Sequence, residues 1–301
     1  MSPKAFPFAA VIVTYNPEPE VLGALLGALD HQECSYVIVD NHSGNVSAIR
    51  AISATHSRCL AFEAQAENVG LAAALNIGIE YVRSLGFHQV LLFDQDSGIP
   101  DGFCSGMASA MTRAQGAFPH RVAAIGPRVE DPDTGRATPF RRFDTWWPAP
   151  ERSAREDLGL IETGFLITSG TLIVLAALDD IGGMLDKYFI DNIDLEWCFR
   201  ALHQGYRIFG VDQPRLLHRI GERSRNPLVK SGVVVKHSPL RYYYSTRNRI
   251  HLHRQAHAPW AWRFRDTIRF VLKTSYLLAT SSQRTAFFAS LRRAMRDGKT
   301  L

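Results

Sequence analysis

Two aspartates end an apolar segment of this chain, and their spacing would let them bind one metal ion. Asp94 and Asp96 follow the apolar run 89–93 and come before the turn-forming segment 97–100. Residues two apart in a strand share a face, and ligands of open α/β sheets bind at the carboxyl ends of strands. Carboxylates suit Mg2+ or Mn2+, and Mg2+ commonly binds one or two of them plus substrate phosphates. The pattern therefore predicts a metal site, with a solvated turn as the alternative.

A second pair of aspartates lies in the segment Phe-Ile-Asp-Asn-Ile-Asp-Leu-Glu-Trp. Asp191 and Asp194 are three residues apart, so they share one face if the segment is helical. Asp194 falls in the first turn of a helix predicted over 193–203, where a carboxylate interacts favourably with the helix dipole. The functional alternative is a general base that points into a cleft.

Polar residues also follow the other predicted strands. Asp40 could accept a hydrogen bond from a ribose hydroxyl or a pyrimidine N–H, or it could form an Asx-turn or a helix cap. Asn68 could cap the helix that follows it or reach a nucleobase. His218, after the last strand, is either a surface residue or a metal ligand. No Gly-rich dinucleotide turn and no P-loop motif occurs, so a bound diphosphate would need the counter-charge of a metal at Asp94 and Asp96.

The elements that would position these residues alternate between strand and helix. Strands are predicted over 9–14, 36–39, 60–63, 90–93 and 122–125, and helices over 18–29, 70–85 and 102–114. This alternation is typical of an α/β fold, with a parallel sheet and helices on both of its faces. Further along, we predict a long loop over 130–156, a strand within 162–174, a strand over 206–211 and basic, aromatic helices beyond residue 239.

Composition restricts the class of protein. The 301 residues are 46% hydrophobic and 21% charged, which is ordinary for a soluble globular protein. The four cysteines form no C-x-x-C pair, so we expect reduced thiols and a cytoplasmic protein. The first residues run directly into a predicted core strand, and no stretch approaches about 18 uncharged apolar residues, so neither a signal peptide nor a spanning helix is predicted.

The charge is unevenly distributed. Residues 238–301 carry 13 Lys and Arg residues and two acidic residues, a net +11, whereas the rest carries 21 basic and 27 acidic residues, a net −6. Such asymmetry indicates an anionic partner: nucleic acid, a membrane surface or a phosphorylated lipid. A basic nucleic-acid-binding protein is the non-enzymatic alternative, but we expect no nucleic acid, because the body is acidic and no nucleic-acid motif occurs.

Taken in order, the motifs resemble those of a known enzyme family. They are Val-Thr-Tyr-Asn, Val-Asp-Asn-His-Ser, Glu-Asn-Val-Gly, Asp-Gln-Asp-Ser, Ser-Gly-Thr-Leu, Phe-Ile-Asp-Asn-Ile-Asp-Leu-Glu-Trp-Cys-Phe-Arg and His-Arg-Ile-Gly. Over residues 8–250 the chain resembles the inverting glycosyltransferases of family 2, and more narrowly the bacterial rhamnosyltransferases of that family. The resemblance implies a metal-dependent hexosyltransferase of bacterial cell-surface polysaccharide synthesis, such as that of lipopolysaccharide.

The resemblance also implies a GT-A fold and a domain organisation. The catalytic domain would cover residues 1–237, with a nucleotide-sugar-binding half over 1–125 and an acceptor-binding half over 126–237; residues 238–301 would form a basic helical extension. The implied donor is a nucleotide sugar, in the first place dTDP-L-rhamnose, with another deoxysugar or a uridine-linked sugar as alternatives. The implied acceptor is a saccharide or a lipid-linked saccharide.

Family motifs assign roles to individual residues by correspondence. Asp94 would lie near the ribose or the metal, and Asp96 would bind the Mg2+ or Mn2+ that bridges the diphosphate. His218 matches a histidine that approaches the metal in some relatives. The nucleoside pocket would be lined by Thr14, Tyr15, Asn16, Asp40 and Asn68.

The family's Glu-Asp base motif falls on Asp194. Ile193 stands where that motif has glutamate, so Asp191 stays open as the alternative base. A catalytically inactive sugar-binding scaffold is a further hypothesis, against which the presence of Asp94, Asp96 and Asp194 counts.

Aromatic and apolar residues interleave with the basic residues of the C-terminal region, and two interpretations are open. An amphipathic helix with aromatics and arginines suits the plane of an anionic membrane surface, which would place the protein peripherally at the inner face of the cytoplasmic membrane. The alternative is that the apolar residues pack on the catalytic domain and that the arginines are solvated.

Overall fold

A computed structural model describes residues 5–145, 150–217 and 238–301 of the chain. Within these residues, nine strands form one sheet in the order β3-β2-β1-β4-β8-β5-β9-β7-β6. The strands are β1 (Phe8–Thr14), β2 (Tyr36–Asp40), β3 (Cys59–Ala64), β4 (Gln89–Asp94), β5 (Val122–Glu130), β6 (Ser153–Arg155), β7 (Leu160–Glu162), β8 (Leu172–Val174) and β9 (Arg207–Leu217). The helices are α1 (Pro19–His31), α2 (Val46–Ala54), α3 (Leu71–Ser84), α4 (Phe103–Ala117), α5 (Leu175–Ile181), α6 (Ile193–His203), α7 (Pro239–His253), α8 (Trp260–Thr280) and α9 (Arg284–Asp297).

The sheet is mostly parallel, as predicted. Strands β1 to β4 pair in parallel, and β5 pairs in parallel with β9. Strand β8 lies antiparallel between β4 and β5, and β7 lies antiparallel between β9 and β6. The predicted domain boundary at 125/126 falls within β5, so both predicted halves contribute to this one sheet, and the division stays a prediction.

Alternation along the central strands places helices on both faces of the sheet. In β1, Val11 and Val13 pack in a buried cluster with residues of α3, α5 and α6. Ala10 and Ile12 pack on the other side with residues of α1 and α4. Because β1 pairs in parallel with β2 and β4, the carboxyl ends of these three strands lie at one edge of the sheet. The predicted site residues follow these strand ends.

The middle of the chain agrees with the sequence predictions in part. The strand predicted within 162–174 is present as β8 at Leu172–Val174, and a turn separates it from β7. Gly170 lies in this turn with φ +80°, and a Cβ there would approach Cγ of Pro127 to 2.7 Å. The predicted loop 130–156 contains strand β6 near its end. Helices α2 and α5 were not predicted, because they are only nine and seven residues long. Helices this short show too few turns for a helical periodicity of apolar residues to be recognised.

The predicted basic helical extension is present as α7, α8 and α9. Part of it packs on α6: Phe199 of α6, Leu252 of α7 and Trp262 of α8 lie in one buried cluster. Phe199 and Trp262 meet edge to face, with ring centroids 5.3 Å apart. None of the helices in the described ranges is long and apolar enough to cross a bilayer.

Candidate active site

The ends of β1 and β2 are joined by a buried hydrogen bond. The Thr14 hydroxyl donates to Asp40 Oδ1 over 2.9 Å, and the Ser43 N–H donates to Asp40 Oδ2 over 2.9 Å. Thr14 and Asp40 are both fully buried. The turn-forming role considered for Asp40 is therefore present, and its contact with a nucleoside stays a prediction.

Tyr15 and Asn16 lie above this pair at the rim of the sheet edge. The Tyr15 N–H donates to Oε1 of Gln95 over 2.7 Å, which ties β1 to the end of β4. The Tyr15 side chain is 52% exposed. Asn16 has a left-handed φ of 48°, and its N–H donates to Ser43 Oγ over 2.8 Å. Gln95 was missed as a positioning residue, although it stands between the two predicted metal ligands.

Asn68 does not cap α3, because the N-cap is Gly70 and no side chain bonds the first turn; the Asn68 side chain forms an Asx-turn before the helix, and its contact with a nucleobase stays a prediction. The Asn68 Oδ1 accepts from the Gly70 N–H at 3.0 Å and from the side-chain amide of Asn41 at 3.0 Å. Gly70 has φ +87°, and a Cβ there would lie 2.8 Å from the Phe189 carbonyl oxygen. The Leu71 N–H donates to that same oxygen over 2.7 Å. The start of α3 and the segment before α6 are therefore in direct contact.

Asp94 is half-buried at the end of β4, and Asp96 is exposed. The Asp94 N–H donates to Ser169 Oγ over 3.4 Å, and the Ser169 hydroxyl also bonds that of Ser97. No cluster of three or more Asp, Glu, His or Cys side chains suited to a metal occurs among the described residues, and His218 lies outside them. Two carboxylates plus phosphate oxygens are a donor set that Mg2+ or Mn2+ accepts, so the residues fit the predicted metal.

Asp194 is half-buried in the first turn of α6. Its Oδ1 accepts from the Leu195 N–H over 2.8 Å, and the backbone of Thr168 also bonds its carboxylate. Burial, and then the negative charges of Asp94 and Asp191, raise the pKa of Asp194 to about 7. The fold therefore brings the predicted base and a predicted metal ligand to the same edge of the sheet, although they are one hundred residues apart.

Asp191 has a different environment. Arg241 of α7 holds its carboxylate from two nitrogens, with Nη2 3.0 Å from Oδ1 and Nε 3.2 Å from Oδ2. Asp191 and Asn192 both have left-handed backbones, with φ of 67° and 63°. Such backbones cost energy outside glycine, though least for Asn and Asp, and are frequent at functional sites. Asp191 is therefore held in an ion pair with Arg241, and the choice between Asp194 and Asp191 as the base stays a prediction.

Helix α7 holds this left-handed segment in place. Asn248 donates to the carbonyl oxygens of Ile190 and Asp191 over 2.8 and 2.9 Å. Asn192 in turn donates to the Ser245 carbonyl over 3.1 Å. Sequence reasoning missed these contacts. The available signal was the spacing of Arg241, Ser245 and Asn248, which places three polar residues on one face of a helix.

A cavity of about 540 Å3 opens beside Asp194. It lies between the start of α6, helices α7 and α8, and residues 139–143 and 150–151. Leu195, Phe165 and Trp262 supply apolar wall, and five arginines line it: Arg141, Arg142, Arg249, Arg265 and Arg269. None of the predicted donor-binding residues lines this cavity.

Solved structures with the same fold are glycosyltransferases. TarS of S. aureus, solved as residues 1–349 in complex with UDP-GlcNAc, has a TM-score of 0.61 and 15% identity over 96% of this chain and 81% of that chain. The mannosyltransferase PcManGT of Pyrobaculum calidifontis, in complex with GDP-Man and Mn2+, has a TM-score of 0.56 and 15% identity over 99% of this chain and 88% of that chain. The predicted GT-A fold is confirmed.

The family model of glycosyl transferase family 2 matches residues 9–182. The dTDP-rhamnosyl transferase RfbF of Shigella flexneri is 31% identical over 293 residues, which cover 96% of this chain and 94% of that protein. The chain belongs to glycosyl transferase family 2, as its motifs indicated. Asp191 and Asp194 lie beyond the residues matched by the family model.

Proposed function

We propose that this family 2 enzyme is an inverting, metal-dependent rhamnosyltransferase that transfers L-rhamnose from dTDP-L-rhamnose to a hydroxyl of a saccharide acceptor. One observation carries the chemistry: Asp194, with a pKa raised to about 7 by burial and neighbouring charge, faces a cavity and lies near Asp94 at the end of β4. The choice of sugar and nucleotide is supported by the similarity to RfbF.

Asp194 suits the role of general base in a single displacement. A base is most effective when its pKa lies near the operating pH, because it is then both ionised and basic. In the proposed reaction the acceptor hydroxyl attacks the anomeric carbon from the face opposite the departing dTDP. The bond to dTDP breaks as the new glycosidic bond forms, the hydroxyl proton passes to Asp194, and the anomeric centre is inverted.

The donor is proposed to bind across the ends of β1, β2 and β4. Hydrogen bonds among Thr14, Asp40, Asn16 and Ser43 set the shape of this edge before a ligand arrives, which reduces the loss of entropy on binding. The exposed ring of Tyr15 offers a face for the base. A divalent cation held by the β4 carboxylates would offset the charge that develops on the leaving diphosphate.

We also propose that α8 attaches the enzyme to an anionic membrane surface. Five apolar side chains of α8 are each at least 47% exposed, and their spacing places them on one face: Trp260, Phe264, Ile268, Val271 and Leu272. Contiguous apolar patches on a protein surface indicate interaction sites. The net charge of +11 over 238–301 favours an anionic bilayer over a second copy of the same basic helix, which it would repel. Such attachment fits a lipid-linked acceptor.

A ligand panel tests the proposed donor. The free energy of unfolding rises by RT ln(1 + [L]/Kd), or about 2.7 kcal/mol at 100 times Kd. We expect dTDP-L-rhamnose with Mn2+ to raise Tm more than UDP-GlcNAc, UDP-glucose or GDP-mannose at equal concentration. The proposed donor is wrong if one of those sugars gives the largest shift.

Stereochemistry tests the proposed mechanism separately. The anomeric configuration of the transferred sugar can be read from its one-bond C–H coupling in NMR spectra of the product. We expect the configuration opposite to that of the donor. Retention would contradict a single displacement with Asp194 as the base.

A further inference from the structure

The cavity beside Asp194 has an excess of positive charge. Three acids line it, and two of them are already paired: Glu151 bonds both terminal nitrogens of Arg128 at 2.8 Å, and Asp266 bonds Arg249 at 2.9 Å and His253 at 2.8 Å. The third is Asp194, whose raised pKa favours the neutral carboxyl. Arg142, another lining residue, pairs with Asp144 and Glu162 outside the cavity lining.

Three further arginines line the same cavity without such a partner. Across residues 5–145, 150–217 and 238–301, no carboxylate forms an ion pair with Arg141, Arg265 or Arg269. We call these three residues the arginine cluster. Arg141 and Arg269 are exposed and Arg265 is half-buried, so a ligand that enters the cavity can reach all three.

The members of the arginine cluster repel one another. Displacement of water by the surrounding protein, and then the charges of Arg269 and Arg265, lower the pKa of Arg141. Burial and the charge of Arg269 also lower the pKa of Arg265. Like charges held together are unfavourable, and an anion bound among them would remove this repulsion.

The position of Arg265 is set by the protein itself. Its Nη2 donates to the Arg142 carbonyl oxygen over 2.8 Å, and its guanidinium lies 5.1 Å from the centre of the Phe143 ring. A guanidinium fixed in this way keeps other N–H donors for a ligand. Guanidinium groups bind phosphate oxygens through paired hydrogen bonds, and a preorganised donor loses less entropy on binding.

The anion belongs to the acceptor side of the reaction. Asp194, Arg265 and Arg269 line one cavity, whereas Asp94 and Asp96, where the donor diphosphate is proposed to bind, do not line it. Ile268 and Leu272 lie beside Arg265 and Arg269 along α8 and are 47% and 66% exposed. A ligand with an anionic group and an apolar chain would match both features.

We propose that the arginine cluster binds a phosphate or diphosphate ester of the acceptor and so positions its hydroxyl group for Asp194. The assignment to the acceptor rests on the proposed glycosyltransferase function, whereas the binding of phosphate rests on the cluster alone.

Calorimetric titration of the full-length protein with inorganic pyrophosphate tests this proposal. The buffer is free of divalent metal, because the donor pocket is proposed to need a metal to hold a diphosphate. We expect the wild type to bind pyrophosphate, and Arg265→Gln/Arg269→Gln to bind it at least about 10-fold more weakly, because charge-assisted hydrogen bonds are lost. Arg269→Gln alone, at an exposed position, should weaken binding without changing Tm.

The matched control is Arg284→Gln/Arg292→Gln. It removes the same charge from two exposed residues of α9 that lie outside the cavity, and we expect wild-type affinity for pyrophosphate. The proposal is overturned if the wild type does not bind pyrophosphate, if the cluster variant binds it as well as the wild type, or if the control loses as much affinity.

Titration with dTDP-L-rhamnose and Mn2+ separates this proposal from the proposed function. We expect the cluster variant to bind the donor with wild-type affinity. An equal loss for the donor and for pyrophosphate would assign the cluster to the donor and overturn the proposal. If the wild type does not bind dTDP-L-rhamnose, the proposed function fails, whereas the pyrophosphate titration still tests the cluster.

Titration with geranyl diphosphate distinguishes a lipid-linked phosphate ester from a soluble one. If the acceptor is lipid-linked, we expect geranyl diphosphate to bind at least about 10-fold more tightly than pyrophosphate, because burial of each CH2 group contributes about 0.8 kcal/mol. Leu272→Ser should then remove this difference in affinity. Equal affinities would assign the cluster to a soluble phosphate ester.

Discussion

Replacement of Asp194 by Asn should strongly slow catalysis and stabilise the fold at the same time. The side chain keeps its size but can no longer accept a proton. We expect kcat to fall by about 10²–10⁴-fold, the range for loss of a general base, while dTDP-L-rhamnose still binds. A residue whose only role is structural would not separate donor binding from turnover in this way.

The gain in stability follows from the raised pKa. Burial and neighbouring charge raise the pKa of Asp194 from 3.8 to about 7, so the native state favours the neutral carboxyl. The neutral Asp194 carboxyl therefore contributes to the free energy of unfolding in full below pH 3.8. This contribution falls as the pH rises and the group ionises, and it is absent above about pH 7. A shift of about three units corresponds to about 4 kcal/mol at 1.36 kcal/mol per unit. Asn forms weaker hydrogen bonds with the two backbone N–H groups, so we expect a net gain of about 1–3 kcal/mol at pH 8.

Urea unfolding of wild type and Asp194→Asn at pH 8 and pH 4 measures this difference. The gain should be present at pH 8 and nearly absent at pH 4. In the wild type, kcat/KM should increase with pH up to about 7 and then level off, because the base must be ionised. The reasoning fails if Asp194→Asn is both active and no more stable than the wild type at pH 8.

The alternative base provides the control. Asp191→Asn removes the bidentate pair with Arg241, so it should lower stability rather than raise it. If Asp191→Asn shows the large loss in kcat and Asp194→Asn is close to wild type, the assignment of the base is wrong.

Three further predictions concern the metal, α7 and the membrane. Asp96→Asn should lower kcat/KM by at least about 100-fold, the upper end of the loss seen for outer-shell partners of metals, without unfolding the protein; full turnover in excess EDTA would refute a role for metal. Arg241→Gln should change the free energy of unfolding by under about 1 kcal/mol, because its ion pair is partly exposed. The same change should lower kcat by up to about 100-fold, because catalytic groups would be misplaced. An unchanged kcat would show that α7 does not position the site. The protein should co-sediment with anionic vesicles at low salt but not at high salt, at about 1 kcal/mol per basic residue near the surface, and Phe264→Ser/Leu272→Ser should weaken this binding; equal recovery in the supernatant with anionic and neutral vesicles would refute it.

Much of the fold could be predicted from the sequence because its signals are local. The apolar runs of β1, β2 and β4 and the periodic faces of α1 and α3 are visible within short windows, and their alternation requires a parallel sheet. Asp94 and Asp96 were predicted at a strand end because a strand end is defined by the residues next to it. The antiparallel insertion of β8 was missed because only the packing of Gly170 against Pro127 reveals the turn before it.

The sequence by itself determined the family, the α/β layering and the residues that could do chemistry. Only the tertiary structure decided which of them lie close together and in what surroundings. Asp191 is paired with Arg241, fifty residues away, whereas Asp194 is half-buried beside Asp94 and has a pKa raised to about 7. The arginine cluster likewise joins Arg141 to Arg265 and Arg269 across more than one hundred residues. Burial and electrostatic coupling depend on separation in space, which a linear pattern does not contain, so the raised pKa of Asp194 and the charge of the cavity beside it emerge only once the chain is folded.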